Sequence, residues 1–170
     1  MMSQLNCHVF ESPVGWIGLI GTTKGLRRLS LKPTLSEVME DLGDAVERAT
    51  PDPDSFAAGQ ECLTRYFEGD TTALDQIDLD WDGAPPFFGA AWEACRRIPP
   101  GETRSYQWLA AEAGRPLAAR AAGQAMAKNP WALVIPCHRV IGSDGGLHGY
   151  GAGGLMVKAK LLEMERRSLA

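Results

Sequence analysis

The sequence predicts an α+β fold in two subdomains, an N-terminal α/β subdomain with a small antiparallel sheet and a mainly helical C-terminal subdomain of helix-turn-helix type. Three observations predict it. Short β-rich runs punctuated by Pro and Gly fill residues 8–31, whereas the second half holds helical runs separated by Pro and Gly. The stretch from Asp70 to Pro86 is polar, acidic and ends in Gly83-Ala84-Pro85-Pro86, so it reads as a linker, with subdomains 1–82 and 83–170. Charge divides at nearly the same place: residues 1–91 hold six Lys/Arg against fifteen Asp/Glu, a balance of −9, and residues 92–170 hold eleven against six, a balance of +5.

The elements follow in order. His8-Val9-Phe10 leads through the turn Ser12-Pro13-Val14-Gly15 into two strands, Trp16–Ile20 and Leu26–Leu31. Pro33-Thr34-Leu35-Ser36-Glu37 opens a helix running to about Arg48, with a hydroxyl cap and acidic first turn. Asp54-Ser55 can cap a second helix, in which Ala58, Cys62 and Tyr66 keep helical spacing up to Gly69. After the linker, Phe87–Cys95 begins a helix that stops at Pro99-Pro100-Gly101. Thr103 or Ser105 can cap the next helix, which is broken at Gly114, and Pro116 suits the first turn of an alanine-rich helix.

At 170 residues and 45 % hydrophobic content the chain can bury a core. Its apolar runs are far short of the roughly 20 residues that a membrane-spanning helix needs. The start, Met1-Met2-Ser3-Gln4, has no charged n-region or cleavage site. Four cysteines without a leader suit a reducing cytoplasm. They include no Cys-x-x-Cys, and the three histidines are His8, His138 and His148, so no metal site is expected. Segregated positive charge in the C-terminal half reads either as a solvated basic face, the commoner case, or as a polyanion footprint.

One cysteine stands apart. In Ile135-Pro136-Cys137-His138-Arg139-Val140 a thiol has a base and a cation within two residues, the ingredients that favour a thiolate. The apolar run Trp131–Ile135 reads as a short buried strand or extended segment that delivers it. On an extended chain Cys137 and His138 would face opposite ways, so a water or a third residue would have to link them. Cys7, Cys62 and Cys95 lie on strand-like or helical apolar stretches and read as structural.

The helix around Leu117–Ala127 has almost no bulk: one Arg and mostly methyl groups. Small side chains suit helix-on-helix packing, or docking against a nucleic-acid groove. Major-groove readers carry long polar side chains, so a helix like this suits the minor groove and reads shape more than sequence.

The segment Ile135–Val140, preceded by Arg120-Ala121-Ala122-Gly123 and Asn129-Pro130, closely resembles the O6-alkylguanine-DNA alkyltransferases. Tyr106 in Ser105-Tyr106-Gln107, Gly149-Tyr150, Gly153-Gly154-Leu155, Lys158, Leu161-Leu162 and Glu165 follow in that family's order. The likeness covers about Phe87 to Glu165; the N-terminal half matches only through Ser12-Pro13-Val14-Gly15. It implies an RNase H-like N-terminal sheet and a winged helix-turn-helix C-terminal subdomain. It also implies a cytoplasmic, monomeric DNA repair protein without cofactor or metal, whose partner is double-stranded DNA carrying an alkylated guanine. Such a protein flips the damaged base and moves its alkyl group irreversibly, once per molecule, to its own cysteine; O4-alkylthymine is an open second substrate.

The same resemblance implies roles. Cys137 is the nucleophile, His138 takes its proton through a water, Glu165 orients the imidazole, Asn129 braces the turn, and Tyr106 helps flip the nucleotide and donates to the leaving guanine. Arg120 replaces the flipped base in the duplex, with Ala119, Ala121, Gly123, Tyr106 and Arg139 as further DNA contacts. Met126, Val140, Tyr150 and Gly151 line the alkyl pocket, and the carbonyls of Cys137 and Val140 read the base edge. On the residues alone Glu165 would read as an ordinary helix-surface acid. The loop Gly151-Ala152-Gly153-Gly154 is one residue longer than the usual family spacing, which predicts reactivity with groups larger than methyl. Thr22 and Arg27 stand where some members hold zinc ligands. Two other classes are open, an alkyltransferase-like lesion sensor, whose members lack the cysteine, and a cysteine hydrolase using Cys137 and His138.

Overall fold

The computed structural model describes residues 4–147 and 149–169. Met1–Ser3 and His148, which entered the sequence argument, lie outside the described residues. The chain divides into two compact units, residues 1–80 and 81–170.

In the first unit β1 (Asn6–Ser12), β2 (Gly15–Thr22) and β3 (Gly25–Lys32) form an antiparallel meander, and the two-residue β4 (Thr50–Pro51) runs parallel to β1, giving the order β3-β2-β1-β4. Gly15 makes the first hairpin possible: its φ is 138°, and a Cβ there would stand 2.6 Å from the Lys32 carbonyl oxygen. Ile17, Leu19, Ile20, Leu29 and Leu31 are buried in the sheet. Helix α1 (Leu35–Leu42) buries Val38 and Leu42 against Cys7 and Ile20. Asp41 ties α1 to β3 by accepting from Ser30 Oγ at 2.6 Å and from Arg28 at 2.9 Å.

Three expectations need correction here. The helix expected to run to about Arg48 ends at Leu42, because Gly43 has φ 56° and starts a separate short helix, α2 (Asp44–Arg48). The cap of the next helix is not Asp54-Ser55: the Asp52 side chain accepts from the Ser55 amide at 3.3 Å and opens a 3₁₀ turn, Pro53–Phe56, that feeds α3 (Ala57–Phe67). Much of the expected linker belongs to this unit. Ala73, Leu74 and Leu79 are buried, and Leu26 and Asp78–Asp80 exchange backbone hydrogen bonds of 2.8 Å. A few apolar anchors outweigh the acidic composition of the segment.

The second unit contains α4 (Pro86–Arg96), α5 (Tyr106–Glu112), α6 (Ala119–Ala127) and α7 (Gly154–Ser168), with a small parallel pair, β5 (Arg104–Ser105) and β6 (Val140–Ile141). Ser105, one of the two expected caps, accepts from the Trp108 amide at 3.0 Å. Helix α6 begins at Ala119, so Pro116 lies in the preceding turn and not in the first helical turn. Trp92 on α4 donates its indole N–H to the Ala125 carbonyl at 2.8 Å, and Trp131 packs edge-on against Trp92, so α4 fixes both α6 and the chain that follows it. Among the described residues no helix is long and apolar enough to cross a membrane.

Candidate active site and DNA-facing helix

The sequence predicts an extended segment over Trp131–Ile135; the chain instead turns tightly there. Val134 N donates to Ala132 O and Ile135 N to Trp131 O, both at 2.9 Å, and Leu133 adopts φ 73°, a left-handed conformation that costs a non-glycine residue energy. All five side chains are buried, so the apolar run signals burial and not extension. Asn129 supplies what a β-ladder would have supplied. Its carbonyl oxygen accepts from Trp131 N at 2.9 Å, and its amide nitrogen donates to Ile135 O at 2.9 Å and to the Cys137 sulfur at 3.2 Å.

Cys137 opens a single 3₁₀ turn, Cys137–Arg139, secured by Cys137 N to Ile135 O at 2.7 Å and Arg139 N to Pro136 O at 2.8 Å. Burial pushes its thiol pKa up; the Asn129 amide and the Lys158 ammonium pull it back. The thiol is thus held nearly dry with two features that favour its anion.

His138 and Glu165 are completely buried, with His138 Nε2 2.8 Å from Glu165 Oε2. Arg139 completes the group: its Nε and one terminal nitrogen donate to the two Glu165 oxygens at 2.9 and 2.8 Å, and its other terminal nitrogen donates to the Ile98 carbonyl at 2.7 Å. Burial would raise the Glu165 pKa, but the bonds from His138 and Arg139 prevail and hold its carboxyl well below the usual carboxylate range. An ionised Glu165 wants a donor, so His138 presents Nε2–H to it. The other ring nitrogen, Nδ1, makes no hydrogen bond to the described residues and keeps its lone pair. Burial, only partly offset by Glu165, lowers the His138 pKa and keeps the imidazole neutral. A buried neutral imidazole with a fixed tautomer, on the residue that follows a thiol, can serve as a general base.

Lys158 and Glu165 reach this place because Lys158, Leu161, Leu162 and Glu165 are the buried residues of α7, at i, i+3, i+4 and i+7. Lys158 Nζ donates to the Val140 carbonyl at 2.8 Å. The Cys137 carbonyl accepts from Val140 N, which closes the turn.

The remaining expected residues fall in different settings. Arg120 is exposed, Ala119, Ala121 and Gly123 are half-buried, and a Cβ on Gly123 would lie 3.8 Å from the Tyr106 ring. Tyr106 is half-buried, and burial followed by the Cys137 charge raises its phenol pKa, so it keeps its proton. Met126, Val140 and Tyr150 are buried, the Tyr150 and His138 rings meet edge-on at 6.3 Å, and Gly151 is exposed. Arg139 needs correction: expected at DNA, it is 6 % exposed and its guanidinium is committed to Glu165 and Ile98, so it braces the site from inside. Lys158 was missed as a residue of the site. The helical spacing of Lys158 and Glu165 about Leu161-Leu162 was the available signal. Among the described residues no three His, Cys, Asp or Glu side chains converge as metal ligands.

Comparison with known proteins agrees with this geometry. Residues 86–167 match the family 6-O-methylguanine DNA methyltransferase, DNA binding domain, and residues 5–81 match 6-O-methylguanine DNA methyltransferase, ribonuclease-like domain. A methylated-DNA–protein-cysteine methyltransferase of Mycolicibacterium paratuberculosis is 43 % identical over 157 residues, covering 92 % of this chain and 90 % of that protein. The crystal structure of Mycobacterium tuberculosis O6-methylguanine methyltransferase superposes with a TM-score of 0.80 at 36 % identity, covering 97 % of this chain and 94 % of that one. A structure of the M. tuberculosis protein in complex with DNA gives 0.79 at 37 %, covering 96 % and 94 %. With both units matched and a thiol, base and buried carboxylate in place, the chain belongs to the O6-alkylguanine-DNA alkyltransferase family.

Proposed function

We infer that the protein repairs DNA directly, moving an alkyl group from O6 of a guanine extruded from double-stranded DNA to the sulfur of Cys137. The observation that carries this reading is a nearly buried thiol, held by Asn129, followed in the chain by a neutral His138 whose Nε2 is tied to Glu165 and whose buried Nδ1 has no partner among the described residues. On this reading α6 enters the minor groove, where its small residues permit close approach, and Arg120 fills the space left by the flipped base. The Cys137 and Val140 carbonyls receive the base edge.

The thiol proton passes to His138 Nδ1 through a water, and the sulfur forms a bond to the alkyl carbon as the carbon–O6 bond breaks. The electron pair stays on guanine, and the Tyr106 hydroxyl neutralises it by donating a proton to the ring. The product thioether has a poor leaving group, so each molecule acts once. Methyl is the first substrate, and the longer Gly151–Gly154 loop favours larger groups as well. A cytoplasmic monomer without cofactor suits four free cysteines and a self-contained site. The presence of Cys137 disfavours a lesion sensor that does not transfer.

The test is a duplex carrying one O6-methylguanine with a labelled methyl. Label should move to protein and plateau at one equivalent per chain, and Cys137→Ala should take up none. Continued turnover, or uptake by Cys137→Ala, contradicts the reading.

A further inference from the structure

Helix α6 carries its exposed long side chains in one line. Arg120, Gln124 and Lys128, the last at the C-cap, stand at i, i+4 and i+8, whereas Ala122, Ala125 and Met126 face inward. Lys128 is occupied, its ammonium 5.9 Å from the centroid of the Phe88 ring. The Arg120 and Gln124 side chains make no hydrogen bond or ion pair with the described residues. The helix beneath them is fixed by the Trp92 bond to Ala125. Gln124 is therefore a free amide on a rigid ridge, one turn beyond the arginine, among residues otherwise too small to reach a base.

We propose that Gln124 is a second groove-reading side chain, selecting a guanine close to the lesion through its 2-amino group. This rests on the reading that α6 enters the minor groove. Four residues of helix advance about 6 Å, so Gln124 lies within about two base pairs of the point where Arg120 enters, at about 3.4 Å per step. Every base pair offers acceptors in that groove, but only G·C offers a donor, the guanine N2 amino group. Arg120 and Lys128 can only donate and cannot tell the pairs apart. The Gln124 amide accepts from N2–H with its oxygen and donates to the neighbouring ring acceptor with its nitrogen, a two-point match that A·T does not offer. A helix that reads mostly shape thereby gains one position of sequence preference.

The test uses duplexes with one O6-methylguanine in which each guanine within two base pairs is replaced in turn by inosine, which lacks only the 2-amino group. Dissociation constants and single-turnover rates are measured for wild type, Gln124→Ala and Arg120→Ala. At one position inosine should weaken wild-type binding by about tenfold, and Gln124→Ala should bind guanine and inosine duplexes alike. Equal inosine sensitivity in wild type and Gln124→Ala, or none in either, overturns the proposal while leaving the transfer reading intact, provided that wild type transfers methyl and Arg120→Ala slows it. Absence of transfer by wild type, or an Arg120→Ala variant that binds and transfers normally, overturns the placement of α6 and this proposal with it.

Discussion

Replacing Glu165 with Gln tests the buried carboxylate with almost no change of volume. Glu165 accepts from His138 Nε2 and twice from Arg139, all between 2.8 and 2.9 Å, with no solvent exposure. An amide keeps one acceptor, turns the other into a donor aimed at a donor, and leaves the Arg139 charge without its counter-ion. Removing one partner of a buried pair costs about 3–5 kcal/mol. At roughly 2–4 °C per kcal/mol for a chain of this length, melting should fall by about 6–20 °C. Chemistry suffers separately. A Gln nitrogen facing Nε2 favours the tautomer with its proton on Nδ1, which removes the base, and a comparable tautomer change in a thiol- or hydroxyl-activating site costs on the order of 10⁴-fold in rate. Thermal unfolding followed by circular dichroism and single-turnover methyl transfer at a temperature where the variant is folded separate the two effects. A folded Glu165→Gln variant that melts and transfers like wild type would refute the assignment of Glu165 as both counter-ion and tautomer lock.

Other predictions follow from the same cluster. Asn129→Ala removes the donor to the sulfur and both braces of the 131–135 turn; iodoacetamide labelling of Cys137 should shift to higher pH and methyl transfer should slow by at least about tenfold, outcomes that a labelling profile over pH will check. Lys158→Met removes the ammonium that opposes the burial-driven rise of the thiol pKa, so the same profile should again move upward, whereas an unchanged profile would mean that Lys158 does not tune the thiol. Acid should destabilise the protein in two windows. His138 has a folded pKa below its ordinary 6.5, so as pH falls below about 6.5 the unfolded chain gains a proton that the folded site refuses. Glu165 contributes stability present above its unfolded pKa of about 4.3 and lost progressively below it. Urea melts across pH should show both declines in wild type, and the first should shrink in His138→Phe.

The fold was legible where local chemistry sufficed. The meander followed from Pro-Gly turns between β-rich runs, and the capped helices from Thr34 and Ser105, each accepting from an amide three residues on. It was less legible where apolar residues signal burial without saying how the chain runs. Trp131–Ile135 is as apolar as a central strand, yet an asparagine two residues upstream satisfies its backbone and folds it into a turn. Residues 71–80 are acidic, but three buried apolar side chains, and Asp80 buried against the Thr22 hydroxyl, decide their place. At the site, Cys137 and His138 announced themselves by adjacency. Arg139 did not, because an arginine beside a reactive thiol reads as a DNA contact until the carboxylate that neutralises it, 26 residues later, is brought alongside. Long-range pairing of charges is what a linear reading lacks.

The most direct test is to locate the transferred group. After reaction with a duplex containing a single O6-methylguanine, proteolysis and peptide mass spectrometry should find S-methylcysteine at Cys137 and unmodified thiols at Cys7, Cys62 and Cys95. A methyl group on any other residue, or a repaired duplex with Cys137 still a free thiol, would contradict the account.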